Sequence, residues 1–176
     1  MPGAPQFDRP DPGEHDEYYA RYIATVPDGD LLSMLEAQGR ETAGVLRGVP
    51  EARGDFAYAP GKWTLKEVVG HVSDTERVFS YRALRIARGD ETPLASFDQN
   101  AWTPQSGARA RTLADLVDEL EAVRRATLAL LAHLPAQAPL RRGTASGKGI
   151  TVRALAWIIA GHERHHLGII RERYLS

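Results

Sequence analysis

The stretch Thr151 to Tyr174, TVRALAWIIAGHERHHLGIIRERY, constrains the fold more than any other part of the chain. Leu155, Ile158, Ile159, Ile169 and Ile170 recur at helical spacing, which predicts an amphipathic helix with an apolar face to bury. On a wheel of about 100° per residue, His162 and His166 fall inside that face. Two imidazoles one turn apart among Ile and Leu must find partners for their ring nitrogens. A divalent ion would satisfy one nitrogen of each ring, and backbone, carboxylate or water partners would serve as well. The i,i+4 spacing leaves both readings open.

Such a helix needs others to cover it, and three further long segments carry the same periodicity. Asp30 is placed to cap a helix over Leu31–Leu46, which Gly48 and Pro50 end. Thr64 and Glu67 form a capping box that opens a second helix, Leu65–Arg88, striped with Leu65, Val68, Val69, Val72, Thr75, Phe79, Ala83 and Ile86. Thr112 caps a third, Leu113–Leu134, and Thr151 caps the last. A short helix is expected over Glu17–Ala24. No strand is predicted, and the fold class is all-α, a four-helix bundle with a short N-terminal helix. The connection from Glu91 to Arg111 is long enough to be functional or disordered, and its Phe97 and Trp102 predict that it packs down. Two long connections admit either up-down order or a crossover. With 43% hydrophobic residues in 176, residues 14–176 suffice for one domain. Residues 1–13, rich in Pro and Gly, read as a flexible arm.

Several function classes are disfavoured at this level. A formal charge of −1 with signs interspersed gives no nucleic-acid footprint. No apolar run approaches the length of a membrane span, and the acidic, proline-rich start is unlike a signal peptide. A soluble, cytoplasmic protein is expected. The absence of cysteine excludes disulfides, thiolate metal sites and a cysteine nucleophile.

His71 lies at the flank of the second helix's stripe, where a lone histidine reads as a bundle-edge residue. Together with His162 and His166 it completes three imidazoles on two helices. Three protein ligands with a position left open are the arrangement of a catalytic zinc site. His165 falls on the far side of His162 from His166 and reads as a neighbour of the site rather than a ligand. His133 lies where a cation complements a helix C-terminus, and His15 lies in the arm. His162-Glu163-Arg164-His165-His166 also matches the short H-E-x-x-H pattern of zinc proteases. No histidine follows it and no strand is predicted to hold a peptide, so Glu163 reads as a solvent-face or interface residue. Gly143, Gly147 and Gly149 read as a flexible loop.

The strings YAPGKWTLKEVVGHVSDTERVFSYR (58–82), ASFDQNAW (95–102) and AWIIAGHERHHLGIIRERY (156–174) resemble the DinB-like, or damage-inducible, family, grouped with the YfiT-like metal-dependent hydrolases. The start, EYYARYIATVPDGD (17–30), resembles one branch of it. The resemblance implies up-down-down-up connectivity and a divalent ion, zinc or nickel, held by His71, His162 and His166. It also implies a homodimer and a small-molecule substrate. Relatives that use a low-molecular-weight thiol make a thiol S-transferase an expectation beside a hydrolase. A stress-response binding module without catalysis is the alternative. Asp98, Gln99 and Trp102, in the loop FDQNAW, are expected to line the cleft or to pack the loop.

Overall fold

A computed structural model of the chain describes residues 4–176. Six α-helices form among them: α1 Glu17–Ile23, α2 Leu31–Arg47, α3 Leu65–Ala87, α4 Gln99–Trp102, α5 Leu113–Ala132 and α6 Val152–Ile169. The expected caps are in place. Asp30, Thr64, Thr112 and Thr151 each accept a backbone N–H from the first turn of the helix they precede, and Glu67 closes the capping box with Thr64. Beyond α6 the chain widens into a π-turn over Ile170–Tyr174.

Side-chain contacts fix the direction of each long helix. Along α2 and α5 the pairings run oppositely, Leu35 meeting Arg124 and Arg47 meeting Asp118. Along α3 and α5 they run the same way, with Glu67 against Arg109 just ahead of α5, and Arg77 against Glu119. Helix α6 opposes α3, since His71 meets His162 while Trp63 meets Tyr174. The order is therefore up, down, down, up, with α3 parallel to α5. The bundle buries its apolar stripes in two clusters. One surrounds Trp157, Leu155 and Phe79, and the other surrounds Leu65, Leu116 and Val117.

Between the clusters lies a set of buried charges. From α5, Arg124 donates through Nε and Nη2 to Glu76 of α3 at 2.9 and 2.8 Å, and through Nη2 to Glu163 of α6 at 2.7 Å. Its Nη1 donates to the Leu35 carbonyl of α2 at 2.7 Å. Gln38 of α2 donates to Glu163 and to the Ala160 carbonyl. Burial pulls the Arg124 guanidinium down, but the two carboxylates more than offset this and hold it above its ordinary value. Glu163 is 2% exposed, so it is neither the solvent-face nor the interface residue expected. Because it follows His162 by about 100° on the wheel, it turns into the bundle's polar centre.

Two further expectations are corrected. Residues 142–151 form an antiparallel hairpin, β1 Arg142–Ala145 with β2 Lys148–Thr151, where a flexible loop and no strand were expected. Ser146 and Gly147 both take positive φ, 53° and 75°, and this two-residue turn suits the twist of a hairpin. Leu94 joins its edge, donating to the Thr144 carbonyl and accepting from the Ser146 N–H. The expected arm also packs down from Phe7 onward. Trp157 Nε1 donates to the Phe7 carbonyl at 2.7 Å, and Arg9 lies over the Trp157 ring while donating to Ile23 and Val26. Residues 1–3 of that arm lie outside the described residues.

Removing Arg124 would leave two buried carboxylates facing each other without a cation. Arg124→Ala is expected to lower unfolding stability by about 3–5 kcal/mol. The exposed ion-pair variant Arg40→Ala should change it by under about 1 kcal/mol. Urea denaturation of the two variants beside the parent measures both.

Candidate metal centre

The centre is built where α3 and α6 cross. Helix α6 supplies His162 and His166 one turn apart, and α3 supplies His71 opposite them. One ring nitrogen of each lies within 4.8 Å of the others. The Nε2 atoms of His71 and His162 are 3.1 Å apart. Two nitrogens bound tetrahedrally to one zinc would be about 3.3 Å apart. The three ring centroids are separated by 5.0, 4.9 and 4.5 Å. His71, expected at the bundle edge when taken alone, is 4% exposed. Thr75, one turn along, places its hydroxyl 3.4 Å from His71 Nδ1, which turns Nε2 toward His162. Trp63 packs against the His71 ring at 4.8 Å.

The electrostatics favour neutral rings. Burial pushes His71 down to about 4. Burial, with the neighbouring His71 and His165 rings, pushes His166 down to about 3. His162 falls well below its ordinary value for the same reasons, burial first and then His166. Neutral imidazoles keep the lone pairs a metal needs. The buried Nδ1 of His166 has no hydrogen-bond partner among the described residues, a deficit a bound ion or its waters would relieve. The donor set fits a divalent ion of the zinc or nickel kind, for which imidazole is a suitable ligand.

Helix α1 crosses directly over this point. A Cβ on Gly161 would sit 2.1 Å from the Tyr22 carbonyl oxygen, so only glycine at this position lets the two backbones meet. That approach sets the Tyr22 ring 5.6 Å from His162 and 5.3 Å from His165. His165 also packs 5.2 Å from His166, and its nitrogens stay outside the cluster of three.

Two cavities meet the centre. A cleft of about 330 Å³ reaches His162 along a wall of Tyr18, Tyr19, Tyr22, Phe79 and Phe97. Thr75, Asp98, Gln99 and Ser146 give it polar edges. A second cavity, of about 250 Å³, reaches His166 beside Trp63, Lys62, Tyr58 and Asn100. Helix α4 stands between them, Gln99 on one side and Asn100 on the other. Asp98 caps it, its Oδ1 accepting from the N–H groups of Asn100 and Ala101. Trp102 turns away from the centre to pack on Phe97 and stays 47% exposed. Sequence reasoning missed Thr75, Ser146 and the aromatic wall. The three tyrosines of α1 both anchor that helix against its neighbours and enclose the cleft.

The fold is a four-helix bundle whose three imidazoles, opposed at one crossing, could hold a metal ion. Residues 34–170 match the DinB superfamily, and the chain belongs to it. It is 26% identical over 122 residues to the "putative metal-dependent hydrolase" YfiT of Bacillus subtilis, spanning 67% of each chain. A protein given the same description in Oceanobacillus iheyensis is 27% identical over 116 residues, 65% of this chain and 66% of that one. The solved structure of Bacillus subtilis YfiT superposes with a TM-score of 0.68 at 22% identity. It covers 93% of this chain and 89% of that one, and it shares the four-helix bundle architecture.

Alanine at His71, His162 or His166 should each reduce retention of zinc or nickel, whereas His15→Ala and His133→Ala should not, as elemental analysis after dialysis would show. The depressed histidines also set a pH dependence. Unfolded rings titrate near 6.5, so between there and about 4 the unfolded chain binds more protons than the folded one. Stability of the metal-free protein should therefore be full above pH 6.5 and fall as the pH drops toward 4. Urea midpoints across that range measure it, and the triple His71→Gln, His162→Gln, His166→Gln variant should show a flatter profile.

Proposed function

We propose that the protein is a metal-dependent enzyme acting on a small molecule, with the ion held by His71, His162 and His166. The observation that carries this reading is the convergence of three neutral imidazoles, His71 and His162 buried and His166 half-buried, at a crossing where His162 lines an aromatic cleft. A divalent ion bound there would supply Lewis acidity and lower the pKa of a water or thiol. Three neutral ligands leave its charge undiminished. The descriptions given to the relatives, metal-dependent hydrolases, support hydrolysis as the first reaction to test.

The chain's own residues would do the rest. The ring nitrogens of His71, His162 and His166 would hold the ion against α3 and α6, with Thr75 orienting His71. Tyr18, Tyr22, Phe79 and Phe97 would receive an apolar body and keep water from it. Asp98 holds the first turn of α4 through its caps, and so fixes where Gln99 and Asn100 project over the centre. Glu163 takes no part, because Arg124 and Gln38 hold it on the far side of α6.

The second cavity favours one further reading. A hydrolase needs room for one organic molecule and a water. One cavity reaching His162 and another reaching His166 suit two organic reactants, and a low-molecular-weight thiol beside an electrophile is the pairing proposed. The chain has no cysteine, so that thiol would come from solution.

Protein purified without an affinity tag or added metal is expected to carry a divalent ion and to hydrolyse members of an ester panel. Chelation should abolish turnover and one added ion should restore it. His71→Ala should lower kcat/KM by at least about tenfold, since disturbing even a ligand's support costs that much. Rate acceleration by added thiol with an electrophile, and none without metal, would select transfer over hydrolysis. Protein that binds neither zinc nor nickel overturns the proposal.

A further inference from the structure

The cleft that reaches His162 carries a charge that the fold does not require. Asp98 is the only acidic residue among those lining it, and neither lysine nor arginine lines it. The Asp98 carboxylate is exposed, and its Oδ1 accepts from the N–H groups of Asn100 and Ala101 at 2.9 and 3.3 Å. Its Oδ2 has neither a hydrogen-bond partner nor an ion pair among the described residues. Capping accounts for one oxygen and not for the charge, because asparagine or serine caps a helix as well as aspartate does. The second cavity has the opposite balance, with Lys62 and no acid in its lining. Charge alone would therefore send a cation to the cleft of His162 rather than to the cavity of His166.

The rest of the lining suits a cation with an apolar body. The rings of Tyr22, Tyr18, Tyr19, Phe79 and Phe97 follow one another along the cleft, consecutive pairs standing at 69°, 81°, 86° and 74°. Turned edge to face in this way they form no flat wall, so a guest meets ring faces as well as edges. A ring face attracts an ammonium group within about 6 Å of its centre. These rings already do so for the protein's own cations. Arg21 lies 4.4 and 4.7 Å from the centres of Tyr18 and Tyr22, and Arg82 lies 5.6 and 5.7 Å from those of Phe79 and Phe97. Neither arginine lines the cleft or pairs with Asp98, so the carboxylate there stays unmatched.

We infer that the cleft selects a small organic ammonium ion, its charged head on Asp98 Oδ2 and its apolar body among the aromatic rings. This inference rests on the proposed site but assigns its substrate class. A charge-assisted hydrogen bond from ammonium to carboxylate gives the chemistry, and the reacting group is left for His162, which lines the same cleft.

Binding to metal-free protein separates the two ideas, because a bound ion would itself repel an ammonium group and coordinate a free amine. The probes are 2-phenylethylamine, protonated at neutral pH, and 2-phenylethanol, which keeps its shape and a hydrogen-bond donor but not its charge. Both are titrated calorimetrically into the metal-free full chain. The amine is expected to bind at least about tenfold more tightly than the alcohol. Asp98→Asn keeps the cap of α4 and should erase that preference. Equal binding of amine and alcohol, tighter binding of the alcohol, or no binding of the amine at millimolar concentration overturns the inference. So does a preference that survives Asp98→Asn. The amine–alcohol comparison in the unaltered protein decides the matter even where the asparagine variant fails to fold. Amine preference in a protein that never binds metal would leave this inference standing while the proposed enzyme reading falls.

Discussion

One guanidinium touches all four long helices. Arg124 belongs to α5 and reaches Glu76 of α3, Glu163 of α6 and the Leu35 carbonyl of α2. Apolar packing drives the helices together but tolerates sliding, whereas a buried fork of donors accepts only one arrangement of its partners. The histidine centre depends on that arrangement. His162 directly precedes Glu163, so fixing the glutamate fixes the rotation of α6 that presents His162 and His166 to α3. The cluster and the centre are two faces of the same helix turn.

This explains why the H-E-x-x-H spelling misleads. A protease base must share the face of its histidines and reach the same water, yet here the glutamate is spent on internal charge. The spelling comes from a helix buried on both sides, with one side polar toward the ion cluster and the other toward the three imidazoles. A wheel drawn from the sequence alone assigns such a residue to solvent, because it does not know that α2 and α5 bring Gln38 and Arg124 to meet it.

What could be read in advance follows the same logic. Asp30, Thr64, Thr112 and Thr151 are local signals, and the helices start where they say. The pairing of His71 with His162 and His166 was legible because all three belong to strings that resemble one family. Long-range features were not. Glu76, Arg82 and Arg124 sit among ordinary helical charges, and nothing nearby in sequence marks them as buried. The Ser146–Gly147 hairpin has strands of only four residues, too short for an alternation pattern to show. The arm lacks periodicity as well, and only the distant Trp157 reveals why Phe7 is apolar.

The parallel course of α3 and α5 carries a geometric obligation. A helix of 23 residues runs about 34 Å at ~1.5 Å per residue, and the next parallel helix begins back where the first began. The chain between them must retrace that whole distance along the outside of the bundle. On this return it passes the crossing of α3 and α6, and α4 is the part that passes there. The roof over the histidines is thus no appendage added to a finished scaffold. It is the route home that this winding requires, and a plain up-and-down winding of the same helices would have left the centre open to the side.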